Sequence, residues 1–220
     1  PNKLEFFVNL LPDKTPVLNL ELEHEKYIHV IGVRDDLTNF FHLHPNNLGE
    51  GAWEANYEFK EAGRYKLWSD VTYQGVTHSF SHNPFEVKLQ KSNQITTSAL
   101  RYLEFIKNVV VDKYQVSVDH PEPIVMGKDT PIDFSLKDFS GNGIEIESYL
   151  GADMHLAVIK DDLSQYIHTH PEGHENNAPV HDNSDGHHGF NFVEKAYANG
   201  TAPEDILPAE HVSFNVRAGG

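Results

Sequence analysis

Apolar and polar residues alternate over short stretches for most of this chain, the period of strands that bury one face. The first half offers Leu4–Leu11, Val17–Leu22, Tyr27–Val33, Phe40–His44, Ala52–Phe59, Arg64–Val71 and Phe85–Leu89. The second offers Val109–Val118, Pro131–Leu136, His155–Ile159, Tyr166–His170, Phe190–Val193 and His211–Val216. β-branched and aromatic residues dominate these runs, and turn residues separate them at short intervals, as in sandwiches. Pro12-Asp13-Lys14 and Gly141-Asn142-Gly143 read as loop tips. One stretch departs from the strand period. Thr97–Lys107 contains good helix formers with Leu100, Leu103 and Ile106 at helical spacing, and it predicts a short linker helix.

The strand pattern contains a duplication. His29–Pro45 aligns without a gap on His155–Pro171, an offset of 126 residues, and 7 of the 17 positions are identical. The identities are three histidines, two aspartates, a leucine and a proline; most other pairs are close exchanges, such as Val33/Ile159 and Arg34/Lys160. The offset is too long for a solenoid repeat and indicates a duplicated globular domain. The predicted fold class is therefore all-β, with two tandem antiparallel β-sandwich domains. Residues 1–93 form the first, 94–107 a linker, and 108–220 the second, with a polar, His-rich loop at 171–189.

Shared ancestry would keep core and turn residues; histidines kept in register point to a function carried by both halves. Asp35-Asp36-Leu37-Thr38 lies between two strand runs and predicts a hairpin turn, for which Asp is well suited. If paired residue numbers sum to 73, Ile31 faces His42 and His29 faces His44. Side chains alternate along a strand, so His29, His42 and His44 then share one face. Opposed Cβ atoms are about 4.5–5.5 Å apart, close enough for three imidazoles to converge on one ion. A slip of one residue would send His29 to the other face. His155, His168 and His170 carry the same prediction in the second hairpin. A fourth ligand is sought on the closing strand, where His82-Asn83-Pro84-Phe85 aligns with His211-Val212-Ser213-Phe214. His78 is a rival to His82 on the same alternation.

Pro45 and Pro171 are expected to end their strands, and the paired aspartates to form turns, with a role in orienting imidazoles as the alternative. The stretch carrying His174, His181, His187 and His188 is either a solvated insertion or an accessory metal-gathering tract. An all-nitrogen donor set suits copper first, with zinc as the alternative. The chain has no cysteine, which excludes disulfides, thiolate sites and a blue-copper centre. Its net charge of −16 disfavours nucleic acid, and its 15 histidines make that charge sensitive to pH. No apolar run is long enough to span a bilayer. The chain begins at Pro1 rather than Met, read as a processed or trimmed product without its targeting segment.

These strings resemble a group of bacterial exported proteins with repeated His-x-His-Pro hairpins. Gly63-Arg64-Tyr65-Lys66-Leu67-Trp68 and Tyr149-Leu150-Gly151-Ala152 match further features of that group. The resemblance covers residues of about 24–90 and 110–171. It implies immunoglobulin-like or cupredoxin-like sandwiches in the periplasm or outside the cell, engaged in copper or heavy-metal handling. No counterpart of the Gly-Arg-Tyr-Lys-Leu-Trp strand is visible in Phe190–Pro208.

Three functions are compatible with these residues. The leading one is a non-enzymatic metal-binding protein with one histidine site per domain, with a protein partner in a membrane-associated or extracellular assembly as a further expectation. The second is a metalloenzyme with an open three-histidine site. His168-x-His170-x4-Glu175 is similar to cupin ligand spacing, but Glu50 falls one position too far in the first copy and the cupin glycines are absent. No general base is repeated in both halves, which weighs against duplicated catalysis. The third is a structural or assembly subunit whose histidines only hydrogen-bond.

Overall fold

The computed structural model describes residues 2–88, 106–125, 128, 130–170, 187–191 and 212–219. Every regular element among them is a strand. No helix of these residues is long and apolar enough to cross a membrane. The linker helix predicted over Thr97–Lys107 falls almost wholly outside the described residues.

The described residues form two compact units. Unit 1 takes those within Pro1–Arg101, Ile159–Tyr166 and Ala196–Gly220, and unit 2 those within Tyr102–Val158 and Ile167–Lys195. The chain is all-β, two β-sandwich domains from an internal duplication.

Eight of unit 1's strands come from its first segment: β1 (Asn2–Leu10), β2 (Ile28–Arg34), β3 (Phe40–Leu43), β4 (Asn46–Gly49), β5 (Ala52–Tyr57), β6 (Gly63–Tyr73), β7 (Val76–Ser81) and β8 (Phe85–Val87). One sheet contains β1, β5 and β4, and the other runs β3-β2-β6-β7 with β8 also on β6. Alternation sends Leu4, Phe6 and Val8 of β1 inward with Trp53 and Ala55 of β5. They meet Ile28 and Val30 of β2 and Tyr65, Leu67, Val71 and Tyr73 of β6. Side chains with relative exposure near zero, such as Phe6, Val30 and Tyr65, form this core. Each such burial is worth roughly 1.5–3 kcal/mol, and together they fix which face of every strand points outward.

Unit 2 has a four-stranded sheet of β9 (Asn108–Val111), β10 (Tyr114–Asp119), β11 (Pro131–Asp138) and β14 (His187–Asn191), in the order β14-β11-β10-β9. The strands β12 (Leu156–Ile159) and β13 (Tyr166–Thr169) form a hairpin.

The division differs from the predicted one at two points. The strand β15 (Val212–Gly219), predicted to close the second sandwich, pairs antiparallel with β1 from Lys3↔Gly219 to Leu10↔Val212. The turn of the second hairpin, Ile159–Tyr166, also belongs to unit 1. Without β15, β1 would be a nine-residue edge with a row of unpaired amide and carbonyl groups. A strand that alternates apolar and polar residues satisfies either sandwich, and pairing across more than 200 residues leaves no local mark.

Candidate metal centre

Position 29 lies between two core residues of β2, so the alternation that buries Ile28 and Val30 turns His29 to the outer face of its sheet. The observed pairs Val30↔Leu43, Ile31↔His42, Gly32↔Phe41 and Val33↔Phe40 have numbers that sum to 73. This is the register expected from the turn, and continued by one pair it sets His29 opposite His44. The three rings gather: their centroids are 5.4 Å (His29–His42), 4.9 Å (His29–His44) and 4.4 Å (His42–His44) apart.

The turn that sets the register is the same in both copies. Arg34 N–H donates to the Asn39 carbonyl and Leu37 N–H to the Arg34 carbonyl; Lys160, Gln165 and Leu163 repeat both bonds. Leu37 and Leu163 share a left-handed φ of 59°. Asp36 accepts from the Thr38 amide and hydroxyl and pairs with Arg34, while Asp162 accepts from the Ser164 amide and hydroxyl and pairs with Lys160. The second aspartate of each pair is a turn former, as expected.

In unit 1, His29 Nε2 is 2.9 Å from the Glu23 carbonyl oxygen and His29 Nδ1 is 3.2 Å from His42 Nε2. A carbonyl only accepts, so Nε2 carries a proton, and Nδ1 is the nitrogen that faces His42. His29 is 2 % exposed, and this bond is what makes its burial affordable. In unit 2, His155 Nε2 donates to the Tyr149 carbonyl at 2.9 Å, and His155 Nδ1 is 2.8 Å from His170 Nε2. Ring centroids there are 5.8 Å (His155–His168), 4.4 Å (His155–His170) and 4.7 Å (His168–His170) apart. One ligand nitrogen from each of these three histidines lies within 4.8 Å of the others.

Both clusters have the donor chemistry of a metal site. Metal–imidazole bonds of 2.0–2.1 Å separate two nitrogens on one ion by about 2.9–3.5 Å, close to the spacings seen here. The N–H···O=C bond on the opposite nitrogen is the usual support that orients a ligating imidazole. His155, His168 and His170 can hold a metal ion, and His29 and His42 are placed to contribute to one.

A family model for a domain of unknown function, DUF8832, matches residues 1–90 and again 108–200. The chain belongs to this family. No curated protein matches it, and no solved structure does. The two matched stretches contain the two hairpins, one cluster in each.

The first turn of each cluster is a further repeated feature. Glu23 and Lys26 exchange two backbone bonds of 2.9 and 3.0 Å, and the two residues between them, His24 and Glu25, have φ of 46° and 65°. At the offset of 126, Tyr149 and Ala152 exchange bonds of 2.8 and 3.3 Å around Leu150 and Gly151, with φ of 52° and 74°. Two successive left-handed residues make a type I′ turn, which favours Asn-Gly. A residue with a Cβ there costs roughly 1–2 kcal/mol. The sequence reading missed these carbonyls because Glu23 and Tyr149 share no side-chain chemistry.

The remaining predicted ligands lie elsewhere. His78 pairs with the core residue Val71, and His82 Nε2 is 2.8 Å from the buried Ser69 hydroxyl, so both address the inner face of the sheet rather than the His29 face. Burial lowers the pKa of His82 to about 4, with the Lys66 ammonium adding to the shift and Asp70 opposing it. Burial also lowers that of His78, whose Nε2 has no hydrogen-bond partner among the described residues. They are not placed to complete the first cluster. His211 lies outside the described residues, as does residues 171–186 of the His-rich loop. On the His29 face, Asp70 of β6 is the residue paired with His29. Within unit 1 its carboxylate accepts from Ser79 at 2.6 Å and from Tyr166 at 2.8 Å.

Proposed function

We propose that this chain is a non-enzymatic, extracytoplasmic metal-binding protein with one histidine site per domain, used for metal handling or delivery. The observation that carries the reading is the repeated N–H···O=C support. In each unit the leading histidine gives one nitrogen to a backbone carbonyl and turns the other toward a histidine of the facing strand. Copper is the favoured metal, because nitrogen donors bind Cu(II) most tightly among the divalent first-row ions, and zinc is the alternative. Location in the periplasm or at the cell surface follows from the resemblance to exported His-x-His-Pro proteins. An open three-histidine metalloenzyme is the second reading, since three donors leave a coordination position for water or substrate. The engagement of Asp70 by two hydroxyls favours binding over catalysis, because a general base must have its carboxylate available.

Elemental mass spectrometry on untagged protein, beside a His42→Ala/His44→Ala variant, tests the proposal. Near-stoichiometric copper or zinc that is reduced in the variant supports it. No metal retained, and none bound on titration, would overturn it and leave a structural module.

A further inference from the structure

The two I′ turns are an unexplained expense in the fold. His24, Glu25 and Leu150 are held left-handed although each carries a Cβ, and the favoured Asn-Gly pair occurs at neither turn. Glu-His-Glu-Lys and Tyr-Leu-Gly-Ala share no residue, yet they adopt one conformation with the same reciprocal backbone bonds. The shared product is one carbonyl oxygen. Glu23 O accepts from Lys26 N–H at 3.0 Å and from His29 Nε2–H at 2.9 Å. Tyr149 O accepts from Ala152 N–H at 3.3 Å and from His155 Nε2–H at 2.9 Å.

In unit 1 the turn is also tied to the sheet. Glu23 Oε2 accepts from the hydroxyls of Thr72 at 2.7 Å and Thr77 at 3.3 Å, on β6 and β7. Two residues earlier, Glu21 N–H donates to the Thr72 carbonyl at 2.8 Å. β6 is also the strand that pairs with β2, where His29 sits. The Glu23 carbonyl and the His29 ring are therefore referred to one rigid frame, which is what a ligand needs if its nitrogen is to be held within a few tenths of an ångström.

We infer that these turns are positioning devices for the metal sites: each fixes the tautomer and ring angle of its histidine so that His29 and His155 bind the ion through Nδ1, with Glu23 as a positioning residue in unit 1. This inference rests on the metal-binding reading. The remaining imidazoles that meet Nδ1, on His42 and His170, present Nε2, so each site mixes the two imidazole nitrogens. A ring held by the carbonyl cannot turn over to offer Nε2 without losing its hydrogen bond.

The test uses the full chain with 15N-labelled histidines and copper or zinc as the probe. In the metal-free protein, His29 and His155 should show a protonated Nε2 and a bare Nδ1, and on metal addition the Nδ1 signals should shift. Gly151→Pro cannot adopt the left-handed φ, so it should open the second turn, weaken the unit 2 site by about 10–100-fold and leave unit 1 unchanged. Glu23→Ala should loosen the first turn without altering a backbone bond, weaken the unit 1 site by several-fold and let the His29 tautomers mix, with Glu23→Gln restoring both. Glu23→Ala decides the matter if Gly151→Pro fails to fold. Unchanged affinity and tautomer in Glu23→Ala, or metal on Nε2 of His155, would overturn the inference while the metal reading stands. If the wild-type chain binds no metal, that reading falls, and the inference falls with it.

Discussion

His155 donates Nε2–H to the carbonyl of Tyr149 at 2.9 Å, and 126 residues earlier His29 donates to Glu23 at the same distance. The bond occurs once in each duplicated domain and leaves the same nitrogen, Nδ1, facing the cluster. The proposed arrangement of one histidine site per domain predicts that the two load separately. His42→Ala and His170→Ala are each expected to remove one of two bound equivalents, and the double variant to remove both. Isothermal titration with copper or zinc reads this directly. A single substitution that abolishes all binding would show that the two clusters do not act as separate sites.

Phe41 lies over Gly32, its cross-strand partner, so closely that a Cβ on Gly32 would stand 2.1 Å from the Phe41 Cζ. The second copy has Val158 and Ile167 at these positions, a larger residue facing a smaller one. Gly32→Val should therefore cost about 2–4 kcal/mol, because the ring must leave its stack on Tyr57. Adding Phe41→Ile should recover at least about 1 kcal/mol of that loss, a favourable coupling between touching residues. Urea unfolding followed by tryptophan fluorescence reads unit 1, since Trp53 and Trp68 are both there. Additive losses would show that the pair is not exchanging volume.

Asp36 and Asp162 make the same turn in different surroundings. The side chain of Asp36 is 5 % exposed and that of its partner Arg34 is 15 %, whereas Lys160 and Asp162 are 50 % and 48 % exposed. Removing Asp36 takes from the shielded Arg34 the carboxylate that accepts from its Nε and one terminal nitrogen, and leaves the half-exposed Glu61 as its remaining ion-pair partner. Asp36→Ala is thus expected to destabilise unit 1 by about 2–4 kcal/mol, and Asp162→Ala to have a much smaller effect. Thermal unfolding of both variants checks the contrast, and equal losses would contradict it.

The parts of the site that were legible in the sequence are those fixed by local rules. Asp35-Asp36-Leu37-Thr38 set the hairpin register, and strand alternation then put His29, His42 and His44 on one face. The carbonyls of Glu23 and Tyr149 were not legible, because a backbone acceptor can come from any residue and the strain at His24 and Glu25 is a matter of φ. The inner-face position of His82 depends on how β7 registers on β6, which the short alignment with His211 does not specify. The partner of β15 was equally hidden, since Val212–Gly219 alternates in a way that suits either domain.

Buried His82 should make unit 1 sensitive to acid. Its pKa is about 4 in the folded chain against an ordinary 6.5, so the neutral ring is favoured by folding. Between these values the unfolded chain binds a proton that the folded chain does not, and stability falls as pH drops from 6.5 to 4. Below about pH 4 both states are protonated and this loss levels off; at roughly 1.36 kcal/mol per unit its full size is about 3 kcal/mol. Gln at this position can keep a hydrogen bond to Ser69 but cannot titrate. His82→Gln should therefore be close to wild type at pH about 7.5 and more stable than wild type near pH 4.5, by urea unfolding monitored through Trp53 and Trp68. Parallel pH profiles for the two proteins would mean that His82 does not carry the acid sensitivity, leaving His78, also depressed by burial, as the next group to replace.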